Sequence, residues 1–201
     1  MKRIVAAMVL AAMVWPFVAS AEDEERESTG FWRDLNVDFI VNACPASLLA
    51  DVEGDKFEVG GTKVSSLFYA PNIAAGLEVG TGDFAASLTA GPGLLVNEEF
   101  SSLFLQLTAA ATYAFSESAT FGPRVGLVRF FDPEWREEGD TDFDAATGVL
   151  VGLQLTMGDR ISYLISMDFL DVSFDRTDTG PGPESLEIEG LMFQFGVSGR
   201  F

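Results

Sequence analysis

The chain has 201 residues, of which 31 are acidic and 12 basic; it carries a formal net charge of −19 and no histidine, yet 48% of it is hydrophobic. Such an acid excess leaves no basic face for a phosphate backbone, which argues against nucleic acid as a partner. A single cysteine, Cys44, cannot form an intramolecular disulfide.

At the start, Lys2 and Arg3 lead into an apolar stretch from Ile4 to Val18, and Ala19-Ser20-Ala21 supplies the small residues that a signal peptidase reads. Residues 1–21 therefore read as an export signal. The stretch is broken by Pro16 and falls short of the roughly 20 apolar residues of a spanning helix. Residues 22–35, opening with the acidic run Glu22 to Thr29, read as a polar periplasmic lead-in. Residues 36–201 read as one domain. No later apolar run is long enough for a helical span, so the apolar residues must be spread singly along strands.

Alternation of apolar with polar or small residues marks eight strands, because a period of two puts one kind of residue on one face. The first shows Val37, Phe39, Val41 and Ala43, and the second runs from Leu67 to Val79. A Thr81-Gly82-Asp83 turn leads into the third, from Phe84 to Val96. The fourth runs from Leu103 to Phe115, the fifth from Phe121 to Phe131 and the sixth from Val149 to Met157. After Gly158-Asp159 the seventh runs from Ile161 to Phe169, and the eighth carries Leu191, Phe193, Phe195, Val197 and the final Phe201. Residues 44–66 read as an extension of the first long loop rather than a further hairpin of the sheet. Short turns follow strands two, four and six, and longer, mostly acidic connections follow the others. That asymmetry and an even count predict a closed antiparallel transmembrane barrel with both termini in the periplasm. Outward aromatics sort the same way: Phe84, Tyr113, Phe115, Phe121, Tyr163 and Phe201 at the short-turn end, Tyr69, Phe131, Phe169 and Phe193 toward the other.

The alternation, the terminal phenylalanine and the signal peptide together resemble the small eight-stranded outer-membrane barrels of bacteria, the group of outer-membrane protein A's membrane domain, the X and W proteins and the opacity-like proteins. The resemblance implies an outer-membrane location, contact with lipid and lipopolysaccharide, recognition of Phe201 by the assembly machinery, and a monomer. It implies function only as a class, structural, adhesive or narrowly transporting.

An eight-stranded barrel is wide enough only for its own side chains. Arg124 is expected to pair with Asp38, Glu78 or Asp168 in a polar interior, since a buried charge needs a partner. No catalytic site is expected: serines occur without a histidine base or a nucleophile elbow, and no carboxylate pair stands out. No cofactor or metal is expected either. Asp140-x-Asp142-x-Asp144 begins like a calcium loop, but Ala145 and Val151 stand where the turn glycine and closing glutamate belong. The leading expectation is a non-enzymatic structural or surface barrel. The alternative is a passage for small hydrophobic molecules through a lateral gate: if Val79 faces Phe84, Pro71 faces Pro92 and two ladder donors are lost together, with Phe68 and Leu95 lining the gap.

Overall fold

The computed structural model describes residues 35–51, 58–59, 62–63, 67–98, 100–135, 141–177 and 185–201. The expected export signal and nearly all of the lead-in lie outside these residues, as do Glu137, Glu138 and Asp140 of the acidic fifth-to-sixth connection. Eight long antiparallel strands form the fold: β1 (Asn36–Asp51), β2 in two segments (Leu67–Tyr69 and Asn72–Thr81), β3 (Phe84–Val96), β4 (Phe100–Ser116), β5 (Ala119–Trp135), β6 (Thr147–Gly158), β7 (Ile161–Asp175) and β8 (Ser185–Arg200). Each pairs with the next, and β8 pairs with β1 from Ile40↔Arg200 to Asp51↔Gly190, so the sheet closes into a ring. Closure satisfies every edge, the condition for a sheet to stand in hydrocarbon.

The two-residue turns after β2, β4 and β6 lie at one end; at the other, the connections after β1, β5 and β7 are long, whereas that after β3 has only three residues, 97–99, shorter than the alternation suggested. Burial alternates along the strands as the period of two requires. On β4, Phe100, Ser102, Phe104 and Gln106 are buried while Leu103, Leu105 and Leu107 face out. Among the described residues no helix is long and apolar enough to cross a membrane.

Several strands run further than alternation suggested. β1 continues past Ala43 to Asp51, crossing a bulge where Cys44 and Pro45 together shift the register against β8. Pro45 cannot donate to a ladder, and a bulge is where a strand tolerates it. Its carbonyl accepts the Tyr69 hydroxyl instead. Within the first connection, Glu58–Val59 and Thr62–Lys63 pair only with each other, apart from the barrel.

The register of β2 against β3 also differs from the expected one. The turn has two residues, Gly82 and Asp83, so Thr81 pairs with Phe84 and Val79 with Ala86. Gly82 makes this tight turn by taking φ of 55°, a left-handed conformation costly for residues with a β-carbon. The two-residue slip moves Pro71 away from Pro92. Leu94 N donates to the Pro71 carbonyl, and Pro92 pairs with Leu105 on its other side.

Candidate functional site

The strands enclose a lumen, and among the described residues its lining divides into two layers. Toward the short-turn end it is polar. Asp38, Glu78, Ser87, Ala110, Arg124, Gly152, Asp168 and Met192 form one continuous hydrogen-bonded row across all eight strands, returning to β1 at Leu49. The row climbs as it goes round because barrel strands tilt. All four charged residues singled out from sequence lie on this row, but the climb separates them into two pairs.

Glu78, low on the row, accepts from Arg200 Nε at 2.7 Å near the short-turn rim. Arg200 Nη1 also donates to the Asp159 carbonyl at 2.9 Å. Asp38 lines the adjoining 370 Å³ recess together with Glu117, Asp159, Arg160 and Arg200. Higher up, Arg124 and Asp168 form a pair at 3.6 Å, with side chains only 4% and 0% exposed. Gly152 sits between them on β6, and a β-carbon there would overlap the Met167 carbonyl and crowd Asp168 Oδ1, so only glycine leaves the two side chains room. Arg124 Nη1 donates to Ser166 Oγ at 2.9 Å and both terminal nitrogens reach Gln194 Oε1 at 3.4 Å, while Ser166 donates to Asp168 Oδ2 at 2.9 Å. Arg124 Nε and Asp168 Oδ1 have no protein partner. A second cluster links Gln106 Nε2 to Asn72 Oδ1 at 2.8 Å and Asn72 Nδ2 to Ser47 Oγ at 3.4 Å.

Toward the long-loop end the lining is apolar and closely filled. Leu49, Phe68, Leu95, Phe100, Phe104, Val128, Phe130, Leu150, Leu170, Phe174, Ile188 and Met192 are all buried there in one cluster. Edge-on and tilted ring contacts tie it together, with centroids 5.9 Å apart for Phe68 and Phe100, 5.4 Å for Phe130 and Phe174, and 5.6 Å for Phe104 and Phe130. From the fifth-to-sixth connection Phe143 folds inward onto this core and Asp144 N donates to the Asp175 carbonyl at 2.8 Å.

Sequence reasoning placed Phe68 and Leu95 on the inner face, where they are, but missed the rest of the core. A signal existed: Leu103-Phe104-Leu105, Phe130-Phe131, Phe169-Leu170 and Leu191-Met192-Phe193 are apolar on both parities, so both faces of those segments had to be apolar.

Around the two prolines the seam is paired above by Tyr69↔Val96 and Leu94 N to Pro71 O, and below by Asn72↔Gly93 and Ala75↔Ala90. The prolines do not face each other: Pro71 stands opposite Leu94, the ladder breaks instead at Ile73 and Ala74, opposite Pro92 and Gly91, and Phe68 and Leu95 are buried in the packed core.

The outer wall carries an apolar surface from Val37, Phe39 and Leu77 through Leu88, Leu107, Leu127, Leu153, Tyr163 and Val197, all large hydrophobics exposed to the surroundings. An open 460 Å³ depression interrupts it where Ala75, Ala86 and Ala90 lie among Leu77, Leu88 and Leu107. Near the long-loop end the carboxylates of Asp171, Glu187 and Glu189 lie within 4.8 Å of one another, a spacing that a divalent cation could bridge and that exposed acidic groups commonly show without one.

No protein-family model and no curated protein sequence matches this chain. Solved structures do. The outer membrane protein OprG from Pseudomonas aeruginosa is 14% identical, with 82% of this chain and 95% of that one covered at a TM-score of 0.46. Outer membrane protein AlkL, solved in lipid bilayers, is 17% identical over 88% of this chain and 94% of its own at 0.46. Neisserial surface protein A is 14% identical over 84% and 97% at 0.44. By its own strand pairings this chain is an all-β, closed, eight-stranded antiparallel barrel.

Proposed function

We propose that this chain is a bacterial outer-membrane barrel with a closed lumen, serving a structural or surface role without enzymatic activity. Membrane residence is supported by the outward wall. A closed sheet that turns large apolar side chains outward on every strand and packs charge inside inverts the order of a water-soluble protein. In this reading the short-turn end and both termini are periplasmic, the chain is monomeric, and the assembly machinery reads Phe201.

The observation that carries the closed lumen is the aromatic core, which fills the long-loop half of the bore from Phe68 across to Phe174. Water and ions crossing it would have to displace packed rings. A non-enzymatic role is supported by the inner hydroxyls: Ser166 is held between Arg124 and Asp168, and no histidine exists to serve as a base. The apolar lining of that same half favours one second reading, a passage for small hydrophobic molecules that enters by moving Phe143 aside.

Planar-bilayer recording on the refolded chain tests the first reading. It should show no discrete steps, whereas the doubly truncated Phe130→Ala/Phe174→Ala chain should conduct. Regular steps from the unaltered chain would overturn the closed lumen. Uptake of an apolar solute into vesicles that falls when Phe143 is cross-linked to Arg176, its bridge partner, would favour the passage.

A further inference from the structure

The outward apolar wall is not equally tall all round. On β3 every outward position from Phe84 to Val96 is apolar, and on β4 every one from Phe115 to Leu103; on β2 the run reaches Leu67. On the opposite side the run stops sooner. Val149 is followed outward by Thr147 on β6, Phe169 by Asp171 on β7, and Leu191 by Glu189 on β8, while on β5 Arg129 interrupts the face between Leu127 and the exposed Phe131, which pairs with Leu103. Once the climb of the hydrogen-bonded rows is allowed for, Tyr69, Val96 and Leu103 stand level with Arg129, Asp171 and Glu189.

Resting on the membrane reading above, we propose that the hydrocarbon boundary on the long-loop side runs obliquely across the barrel, with outer-leaflet acyl chains covering the upper wall of β2–β4 and water or headgroups meeting β6–β8 at the same height. The offset is one outward position, two residues along a tilted strand, or about 5 Å of height. Charge pins the boundary on one side, because Arg129, Asp171 and Glu189 are charged side chains on the outward face, and a charge on the lipid-facing wall is costly at membrane depth. Arg129 keeps this polar character by donating to Thr147 Oγ1 at 2.9 Å across the β5–β6 seam.

Continuity identifies lipid as the occupant on the other side. Leu103 is 61% exposed, and below it on β4 Leu105 and Leu107, at 48% and 44%, continue the same face with no polar residue between; on β2 Leu67, 51% exposed, continues through Tyr69 to Ile73. A bilayer accommodates such a mismatch by local thickening or by tilt of the protein.

Site-directed spin labelling of the refolded full chain in dilauroyl-phosphatidylcholine vesicles tests the proposal. Single cysteines are placed at two pairs of matching height, Leu103 with Thr147 and Leu67 with Ser173, and at Leu107 and Leu153 in the middle of the wall. Cys44 is buried in the folded protein and stays unlabelled. Collision with oxygen, which concentrates in hydrocarbon, is compared with collision with a water-soluble nickel chelate. Leu103 and Leu67 should give oxygen-to-nickel ratios several-fold higher than Thr147 and Ser173. Equal ratios within both pairs would mean a level boundary and overturn the proposal. Loss of both reagents at Leu103 and Leu67 would mean that protein, a second copy of the chain, covers them, and would also overturn it. Nickel access at Leu107 and Leu153 would instead overturn the membrane reading itself.

Discussion

Removing the carboxylate of Asp168 should be among the most damaging single changes in the barrel that involve no aromatic ring. Asp168→Ala leaves the Arg124 guanidinium 4% exposed without its counter-charge, and Ser166 loses its acceptor. Breaking one side of a buried ion pair costs about 3–5 kcal/mol. The lower part of that range is expected here, because Ser166 and Gln194 still accept from Arg124, and because Arg124 Nε and Asp168 Oδ1 already lack protein partners. Asp168→Asn keeps the size and part of the bonding and should cost about 1–3 kcal/mol. The decisive variant is Arg124→Met/Asp168→Ala, which removes both charges. If the penalty of Asp168→Ala is that of an orphaned cation, the double variant should recover about 2 kcal/mol relative to the sum of the single changes. The assay is a urea series on the full chain refolded in vesicles, read as the fraction that keeps the faster-migrating folded band on unheated gels. An Asp168→Ala penalty below about 1 kcal/mol, or strictly additive single changes, would refute a coupled pair across Gly152.

Three further outcomes follow from the geometry. Gly122→Ala and Gly196→Ala should each lose about 1–3 kcal/mol or fail to fold, since the new β-carbons would overlap the carbonyls of Ala111 and Ala43, while Gly80→Ala, whose nearest neighbour would be 3.6 Å away, should stay within about 0.5 kcal/mol in the same urea series. In intact cells a membrane-impermeant maleimide should label a cysteine at Glu98 in the third-to-fourth connection but not one at Glu117; the reverse pattern would invert the proposed topology. Phe201→Ala should lower the amount of folded barrel in cells while leaving the stability of the refolded protein nearly unchanged, because the ring is 73% exposed and the residue's paired contacts, Phe39 N to Phe201 O and Phe201 N to Phe39 O, are made by backbone.

The sequence by itself determined the class of fold. Strict alternation in Phe193 to Val197 or in Val151 to Met157 reads as a strand with two unlike faces when no helical span exists, and the two-residue turns after every second strand order the strands as an up-and-down ring. Outward residues were legible for the same reason, since a period of two assigns a face without reference to any neighbour. Tertiary structure decided what depends on register and on the climb of the rows. Pro71 and Pro92 lie apart because the turn at Gly82-Asp83 admits Thr81 into the strand, a difference of two residues that composition does not encode. Asp38, Glu78, Arg124 and Asp168 share one row, yet strand tilt lifts Arg124 and Asp168 into one pair and leaves Glu78 to Arg200. The aromatic core shows the same limit. Phe68, Phe100, Phe130 and Phe174 come from four strands far apart in sequence, and only closure of the sheet brings their inward faces together across the lumen.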